Sequence, residues 1–152
     1  MRIEPMQQQG LTNVDVALLV VCLTAGIIFV AHGAQKMFGA FGGTGLGPIV
    51  QMMGPIGYLV SIAEFFGGLG LIVGFLSRFA AAALTGVMLG AIAIVQWQHG
   101  FFLGEKPGFE FNLALIGLLL AVLIAGPGRL ALGRFLPLPK KGNTGEPATV
   151  LQ

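Results

Sequence analysis

The sequence predicts an all-α protein: a bundle of four transmembrane helices with both termini in the cytoplasm. Of the 152 residues, 55% are hydrophobic and 9% are charged, and the mean hydropathy is +0.89. Soluble domains carry about 25% charged residues, which they need to build a polar shell. The apolar residues also form long runs without the alternation of barrel strands, so helices are the expected spanning elements.

Four apolar runs of about 15 to 21 residues fit the roughly 20 residues that span a bilayer core. The first opens after Asn13, which we expect to cap the helix. The last ends in a Gly-Pro-Gly sequence, which stops a helix. The glycine-rich link of about residues 39–55 is expected on the membrane surface or over the mouth of a cavity. The predicted spans cover about residues 14–32, 56–76, 79–98 and 111–125.

These runs divide the chain into three parts. A polar N-terminal segment covers residues 1–13, the four-helix transmembrane domain residues 14–126, and a cytoplasmic C-terminal tail residues 127–152. No basic stretch directly precedes the first apolar run, so no cleavable signal peptide is expected. After Arg134 the tail is rich in Pro, Lys and Gly, and we expect that part to be mobile.

The distribution of basic residues predicts the orientation. Lysine and arginine favour the cytoplasmic loops of membrane proteins. With four spans, the side of the termini holds six basic residues (Arg2, Arg78, Arg129, Arg134, Lys140 and Lys141), and the other side holds Lys36 and Lys106. We therefore predict a multi-pass protein of the inner (plasma) membrane with cytoplasmic N and C termini.

Polar side chains that interrupt the apolar runs fall at one level of the predicted bundle. At about 1.5 Å per residue, His32 lies about 26 Å beyond Asp15, near the outer boundary, and Glu64 enters the second span from that same side. For Lys36, simple anchoring at the interface is the alternative to ligand binding. The residues expected to form an outer-leaflet ligand pocket, with no catalytic residue among them, are His32, Gln35, Lys36, Glu64, Gln96, His99 and Asn112.

Glu64 is the most informative of these residues, because a carboxylate within a membrane is costly and usually faces a partner or a cavity. Its neighbours at helical spacing, Gly57, Ser61 and Gly68, form a small and polar stripe that lets another helix approach closely. The carboxyl group is either neutral, or ionised beside Lys36 or a histidine. A structural hydrogen bond between helices and a ligand or proton role both fit the pattern.

Two histidines at one level raise the question of a metal or haem. We predict no metal site, because H-x-x-x-K and Q-W-Q-H are not metal-ligand spacings. A bis-histidine b-type haem held by His32 and His99 is geometrically conceivable. The alternatives are interfacial hydrogen bonds or a hydrogen bond to a quinone-like head group. Cys22 is the single cysteine, which excludes dithiol chemistry within the chain.

The stretch "AGIIFVAHGAQKMFG", followed by a glycine-rich loop and "IAEFFGGLGLIVGFLSRFAAAAL", resembles the DoxX family of small four-helix membrane proteins. The resemblance covers roughly residues 14–125. Its motif is H-G-x-x-K-x-F-G followed by E-x-x-G-G. The matching positions are His32, Gly33, Lys36, Phe38, Gly39, Glu64, Gly67, Gly68, Gly70, Gly74 and Arg78.

The resemblance implies a four-helix membrane protein in a redox or quinone context. Members of the family include a subunit of a thiosulfate:quinone oxidoreductase and a component of a membrane oxidoreductase complex. The family is also related to redox proteins that use cysteine pairs, and this chain has only one cysteine.

We therefore expect an integral membrane subunit or accessory protein of a respiratory, quinone-linked oxidoreductase complex. The chain has no recognisable redox motif, so we expect it to be a non-catalytic subunit whose partner supplies the electrons. Quinone is the first candidate cofactor, and b-type haem ranks below it. The alternative is a purely structural membrane anchor or assembly factor with no ligand of its own, and a transporter ranks third.

The expected partners are the lipid membrane and either other subunits of a membrane complex or further copies of this chain. The net charge of +2 and the pI near 9.0 do not indicate nucleic acid. The basic residues cluster at the ends of the apolar runs, where they anchor a protein in the membrane.

Overall fold

The computed structural model describes residues 11–131, and every regular element within that range is a helix. Helix α4 continues into a π-helical turn, Ile92–Gln96, and a 3-10 turn, Trp97–His99, and another 3-10 turn, Ala40–Gly42, follows α1. The helices are α1 (Asn13–Phe38), α2 (Leu46–Met53), α3 (Ile56–Val73), α4 (Ser77–Ala91) and α5 (Glu110–Ala125).

Two parts of the chain fall outside the described residues. They are residues 1–10 and residues 132–152. The expected absence of a signal peptide and the expected mobile tail concern these residues. Four of the basic residues used to predict the orientation lie outside as well. They are Arg2, Arg134, Lys140 and Lys141.

Three helices are long and apolar enough to cross a membrane: Asn13–Phe38, Ile56–Val73 and Ser77–His99. Helix α5 is also apolar, but it has only 16 residues. Large apolar side chains such as Ile27, Phe66 and Phe79 are exposed on the outside of the bundle. An apolar exterior on helices of this length indicates a membrane protein, because lipid replaces water as the surrounding medium.

The first helix differs from its prediction at both ends. Thr12, not Asn13, is the N-cap: its hydroxyl accepts from the Asp15 N–H, and the Asp15 carboxylate accepts from the Thr12 N–H. This reciprocal pair is a capping box. The C-terminus lies at Phe38 rather than near His32, because the polar residues after His32 continue the helix until Gly39 ends it in a left-handed conformation (φ 70°).

The four longer helices pack in a ring in which each helix contacts two others. Helix α1 lies against α3 and α5, and α4 also lies against α3 and α5. Helices α1 and α3 run antiparallel, since Gly26 of α1 meets Ile72 while Lys36, further along α1, meets Glu64. The buried centre of the ring is apolar and includes Phe29, Leu71, Leu84, Leu119 and Val122.

Glycines bring α1 and α3 unusually close together. A Cβ on Gly33 would lie 2.4 Å from the backbone nitrogen of Phe65, and a Cβ on Gly68 would lie 2.7 Å from the backbone nitrogen of Val30. Only glycine fits such backbone contacts, which are typical of packed membrane helices. The close approach brings the end of α1 within side-chain reach of the middle of α3.

The link between α1 and α3 contains the short helix α2, which the sequence did not predict. Gly45 and Gly54 flank this helix with positive φ values of 75° and 66°. Such backbone conformations suit glycine and allow sharp turns at both ends of α2. The helix packs mainly on α3, where Gly57 leaves room for the backbone of Ile49.

Replacing Gly33 by alanine should lower the free energy of unfolding by about 1–3 kcal/mol, because the added methyl group overlaps the backbone of Phe65 and forces the two helices apart. Gly117→Ala in α5 is the matched control, since nothing lies within 4 Å of its Cβ position, and it should change stability by less than about 0.5 kcal/mol. Unfolding followed in mild-detergent micelles checks both values. Equal losses for the two variants would contradict this account of helix packing.

Candidate functional site

The last turn of α1 and the middle of α3 are joined by an ion pair. The Lys36 ammonium group donates to Oε2 of Glu64. The Glu64 side chain is 3% exposed, whereas that of Lys36 is 23% exposed. Since a buried carboxylate needs a hydrogen-bonded partner of opposite charge, the structure assigns Lys36, rather than a histidine, as the partner of Glu64.

The polar stripe of α3 faces the interior of the protein. Gly57, Ser61, Glu64 and Gly68 are all buried, which confirms the helix face that the spacing indicated. The Ser61 hydroxyl donates to the carbonyl oxygen of Gly57 at 2.8 Å, so its own hydrogen bonding is satisfied within the helix. Glu64 is therefore the residue of this stripe that reaches across to another helix.

A cavity of about 490 Å³ lies between α3 and α4, and the Lys36–Glu64 pair forms part of its wall. Gln96 contributes a third polar side chain, and the rest of the lining is apolar or glycine. Met52, Leu59 and Ile94 line the cavity and are also largely exposed at the protein surface. We name this space the lateral cavity, because it opens sideways between the two helices toward the surrounding medium.

Gln96 reaches the lateral cavity at the end of the π-helical turn that follows α4. Its Oε1 atom is buried and has no hydrogen-bond partner among the residues that the structure describes. A buried amide oxygen without a donor is costly unless a ligand or water supplies one. π turns of this kind occur frequently at functional sites, so Gln96 is a candidate ligand contact.

The two histidines of the predicted pocket do not line the lateral cavity. The exposed His32 lies within electrostatic reach of both Lys36 and Glu64, and its ring centroid is 6.3 Å from that of Phe111. His99 is half-buried, and its Nδ1 atom has no hydrogen-bond partner within residues 11–131. His32 is thus beside the ion pair, but not on the cavity wall.

The other two predicted residues also lie apart from the cavity lining. Gln35 packs against Gly43, where a Cβ would come within 2.2 Å of the Gln35 side chain. Asn112 is buried, and its Nδ2 atom donates to the sulfur of Met88 at 3.4 Å. The lateral cavity therefore brings together three of the seven predicted residues, Lys36, Glu64 and Gln96.

Within residues 11–131, no three or more His, Cys, Asp or Glu side chains lie together so that they could hold a metal ion. Cys22, the single cysteine of the chain, is buried in the core. The polar groups that the lateral cavity offers are the Lys36 ammonium, the Glu64 carboxylate and the Gln96 amide.

The DoxX family model matches residues 17–97, more than half of the chain. The chain belongs to the DoxX family. It is 32% identical over 126 residues to "Inner membrane protein YqjF" of Escherichia coli (strain K12), a match that covers 80% of this chain and 93% of that protein. It is 28% identical over 133 residues to "Putative oxidoreductase CatD" of Bacillus subtilis (strain 168), covering 84% and 92% respectively. No solved structure matches the chain.

The range matched by the DoxX model contains the three polar residues of the lateral cavity. Among the lining residues of this DoxX protein that were not predicted are Met52 and Met53 of α2. The paired methionines before Gly54 were the available signal, since flexible thioethers adapt to irregular surfaces and ligands.

Beyond the π turn, the DoxX chain forms an aromatic loop around Phe109. The Trp97 ring stacks on Phe109 with centroids 5.7 Å apart, and Phe101 meets Phe109 edge-on at 5.3 Å. Glu110 accepts a hydrogen bond from the Leu103 N–H at 2.7 Å, which closes the loop onto the start of α5. The loop is thus an ordered, aromatic surface at the same end of the bundle as Lys36.

Glu64 is more deeply buried than Lys36, so replacing one residue or the other should change the free energy of unfolding by different amounts. Lys36→Met should cost about 3–5 kcal/mol of stability, because it leaves the buried carboxylate without a partner. Glu64→Gln should cost less, about 1–2 kcal/mol, since the amide oxygen still accepts from Lys36. Chemical unfolding in detergent measures both, with Lys106→Met on an exposed loop as the control. A larger loss for Glu64→Gln than for Lys36→Met would contradict the assigned roles.

Proposed function

We propose that this protein is a membrane subunit or accessory protein of a quinone-linked oxidoreductase complex, and that the lateral cavity binds the quinone head group. The observation that carries the proposal is the partly buried Lys36–Glu64 pair on the wall of a cavity whose lining is otherwise apolar or glycine except for Gln96. A quinone combines a ring bearing two carbonyl oxygens with an apolar body. A mainly apolar pocket with a few placed polar groups is the usual form of a site for such a molecule.

The size and position of the cavity support this ligand class. Its volume of about 490 Å³ lies within the range of about 300–1,000 Å³ found for small-molecule sites. The exposed lining residues Leu59 and Ile94 leave a sideways opening between spanning helices. An apolar substituent of the ligand can extend through this opening into lipid while the head group stays beside the ion pair.

Each polar residue has a distinct role in this proposal. The Lys36 ammonium group donates a hydrogen bond to a carbonyl oxygen of the head group, and the Gln96 amide orients the ring. The Glu64 carboxylate accepts and passes on protons, as a positioned carboxyl group does in general acid–base chemistry. Reduction of a quinone to a quinol takes two electrons and two protons. Both electrons come from a partner subunit, and Glu64 lies on the route of the protons.

The name of one relative supports oxidoreductase chemistry as the general reaction class. The name of the Bacillus subtilis relative describes that protein as a putative oxidoreductase. Cys22 alone cannot form a dithiol within this chain, so we assign the electron donor to another subunit. Partner subunits of a respiratory complex, or further copies of the chain, complete the proposed assembly.

We also propose that all four long helices cross the inner membrane, with both termini in the cytoplasm. Helix α5 is about 24 Å long at about 1.5 Å per residue, and a tilted or locally thinned arrangement accommodates a short span. It packs antiparallel against α1 and α4. Arg78 and Arg129 lie at one end of the bundle and Lys36 and Lys106 at the other, so the arginine end is assigned to the cytoplasm from the count of basic residues over the whole sequence. The Escherichia coli relative is named an inner membrane protein.

A structural anchor or assembly factor is the second candidate, and the aromatic loop favours it. Trp97 and Phe102 are 69% and 75% exposed, and exposed aromatic side chains are enriched where proteins meet partners. In that case the Lys36–Glu64 pair only holds α1 to α3. Glu64→Ala would then lower the yield of the complex, while the complex that forms keeps full specific activity.

The quinone proposal predicts that Gln96→Leu weakens quinone binding by about tenfold, the effect of losing one buried hydrogen bond. Glu64→Gln, which removes the carboxylate that carries protons, should lower the rate of quinone reduction by about a hundredfold. The measurement is the amount of quinone extracted per purified protein, together with quinone reduction in host membranes. Glu105→Gln, which removes an exposed carboxylate from the loop before α5, is the matched control and should behave like the natural protein. The proposal fails if the natural protein holds no bound or exchangeable quinone and Glu64→Gln leaves quinone reduction unchanged.

A further inference from the structure

A second apolar space continues from the lateral cavity along the outside of α3 and α4. Its volume is about 830 Å³, and its lining within residues 11–131 consists of apolar residues and glycine. Leu59, Ala63 and Ala83 line both this space and the lateral cavity, so the two spaces meet at these residues. We name it the apolar groove, because exposed residues such as Phe66 and Phe79 border it on the side of the surrounding medium.

The apolar groove runs lengthwise along the bundle, away from the level of the ion pair. On α3 its lining extends from Leu59 to Val73, a distance of about 21 Å at about 1.5 Å per residue. On α4 it extends from Phe79 to Ala83, and beyond Ala83 the lateral cavity continues as far as Gln96. A ligand whose head group lies beside the ion pair can therefore lay a long chain along the groove while it stays on the protein surface.

Small residues form the floor of the apolar groove, and large residues form its rims. Ala80 is 7% exposed, and a Cβ on Gly70 would lie 3.6 Å from the Cβ atom of Ala80, so α3 and α4 pack closely at the floor. Phe66, Phe75 and Phe79 are exposed and border the groove as rims. A small-residue floor between aromatic rims leaves width for a chain that carries methyl branches at regular intervals.

We propose that the apolar groove holds the isoprenoid tail of the quinone whose head group lies in the lateral cavity. The ligand class is then a long-tailed polyprenyl quinone rather than a small quinone without a tail. This inference rests on the proposed function, since it requires a head group in the lateral cavity. The continuity of the two spaces at Ala63 and Ala83 carries it. Floor and rims retain the tail because many weak dispersion contacts add up along a chain.

The binding test compares quinones that share one ring and differ in the tail, using the purified full chain in a neutral detergent. A benzoquinone and a naphthoquinone are each used without a tail and with a tail of four isoprenoid units. Ala83→Phe adds bulk where the two spaces meet. It should weaken binding of the tailed quinones by about tenfold, and it should change binding of the tail-less rings by less than about twofold. Each quinone is compared between variant and natural protein, so its partition into detergent cancels.

Two further variants separate the groove from folding, which the melting temperature of each variant reports. Ala82→Phe adds the same side chain one residue away, at an exposed position that lines neither space, and should bind every quinone like the natural protein. Phe79→Ala removes part of a rim at an exposed position. It should weaken binding of the tailed quinones by about fivefold without affecting the tail-less rings, and it decides the question if Ala83→Phe does not fold.

The outcomes distinguish this inference from the proposed function. If Gln96→Leu weakens binding of every quinone while Ala83→Phe and Phe79→Ala change none, the head-group site stands and the groove does not hold the tail. If no quinone binds the natural protein, both proposals fail. If Ala83→Phe only releases co-purified phospholipid, or only converts a dimer into monomers, the groove holds an acyl chain or a second copy of the chain, and the inference is overturned.

Discussion

The ion pair between Lys36 and Glu64 is the interaction around which this bundle is arranged. An isolated charge in a membrane helix costs about 2.5–3.5 kcal/mol or more, so the carboxylate in α3 needs a cation from another helix. Gly33, one turn before Lys36, lies directly against the backbone of Phe65. A larger residue at that position would separate the helices and take the ammonium group away from the carboxylate. The glycine contacts and the ion pair are thus one structural unit.

This unit also explains why the cavity beside it is suited to a polar head group. Helix α1 is held tightly to α3, whereas Gly86 and Gly90 on α4 leave space on the other side of α3, where the lateral cavity forms. Glu64 is therefore bound on one side by Lys36 and borders open space on the other. A carboxylate that is stabilised by a cation and still reaches a cavity can serve as a proton carrier without being exposed to bulk water.

The sequence predicted the four longer helices and the buried face of α3, but not the short helix α2 and only part of the candidate site. Hydropathy and helix stop signals locate spans, and the rise per residue places polar side chains at a common depth. Depth does not fix direction, because the rotation of each helix depends on how its ridges pack against neighbours. His32 and Lys36 lie one turn apart on α1, and only Lys36 lines the cavity. The π turn before Gln96 departs from the 3.6-residue period, so no periodic pattern could predict where Gln96 or His99 points.

Charged side chains lie at both ends of the molecule, and apolar packing separates the two groups. The Lys36–Glu64 pair lies at one end, and the buried Asp15 of the capping box of α1 lies at the other. Phe29, Leu71, Leu84 and Leu119 fill the buried centre between them. A proton cannot hop along such side chains, since they offer neither donors nor acceptors. Protons that Glu64 exchanges in the proposed function therefore come from its own side of the membrane, through the partly exposed Lys36. Electrons supplied by a partner and protons taken from the outer face would then meet at the same cavity.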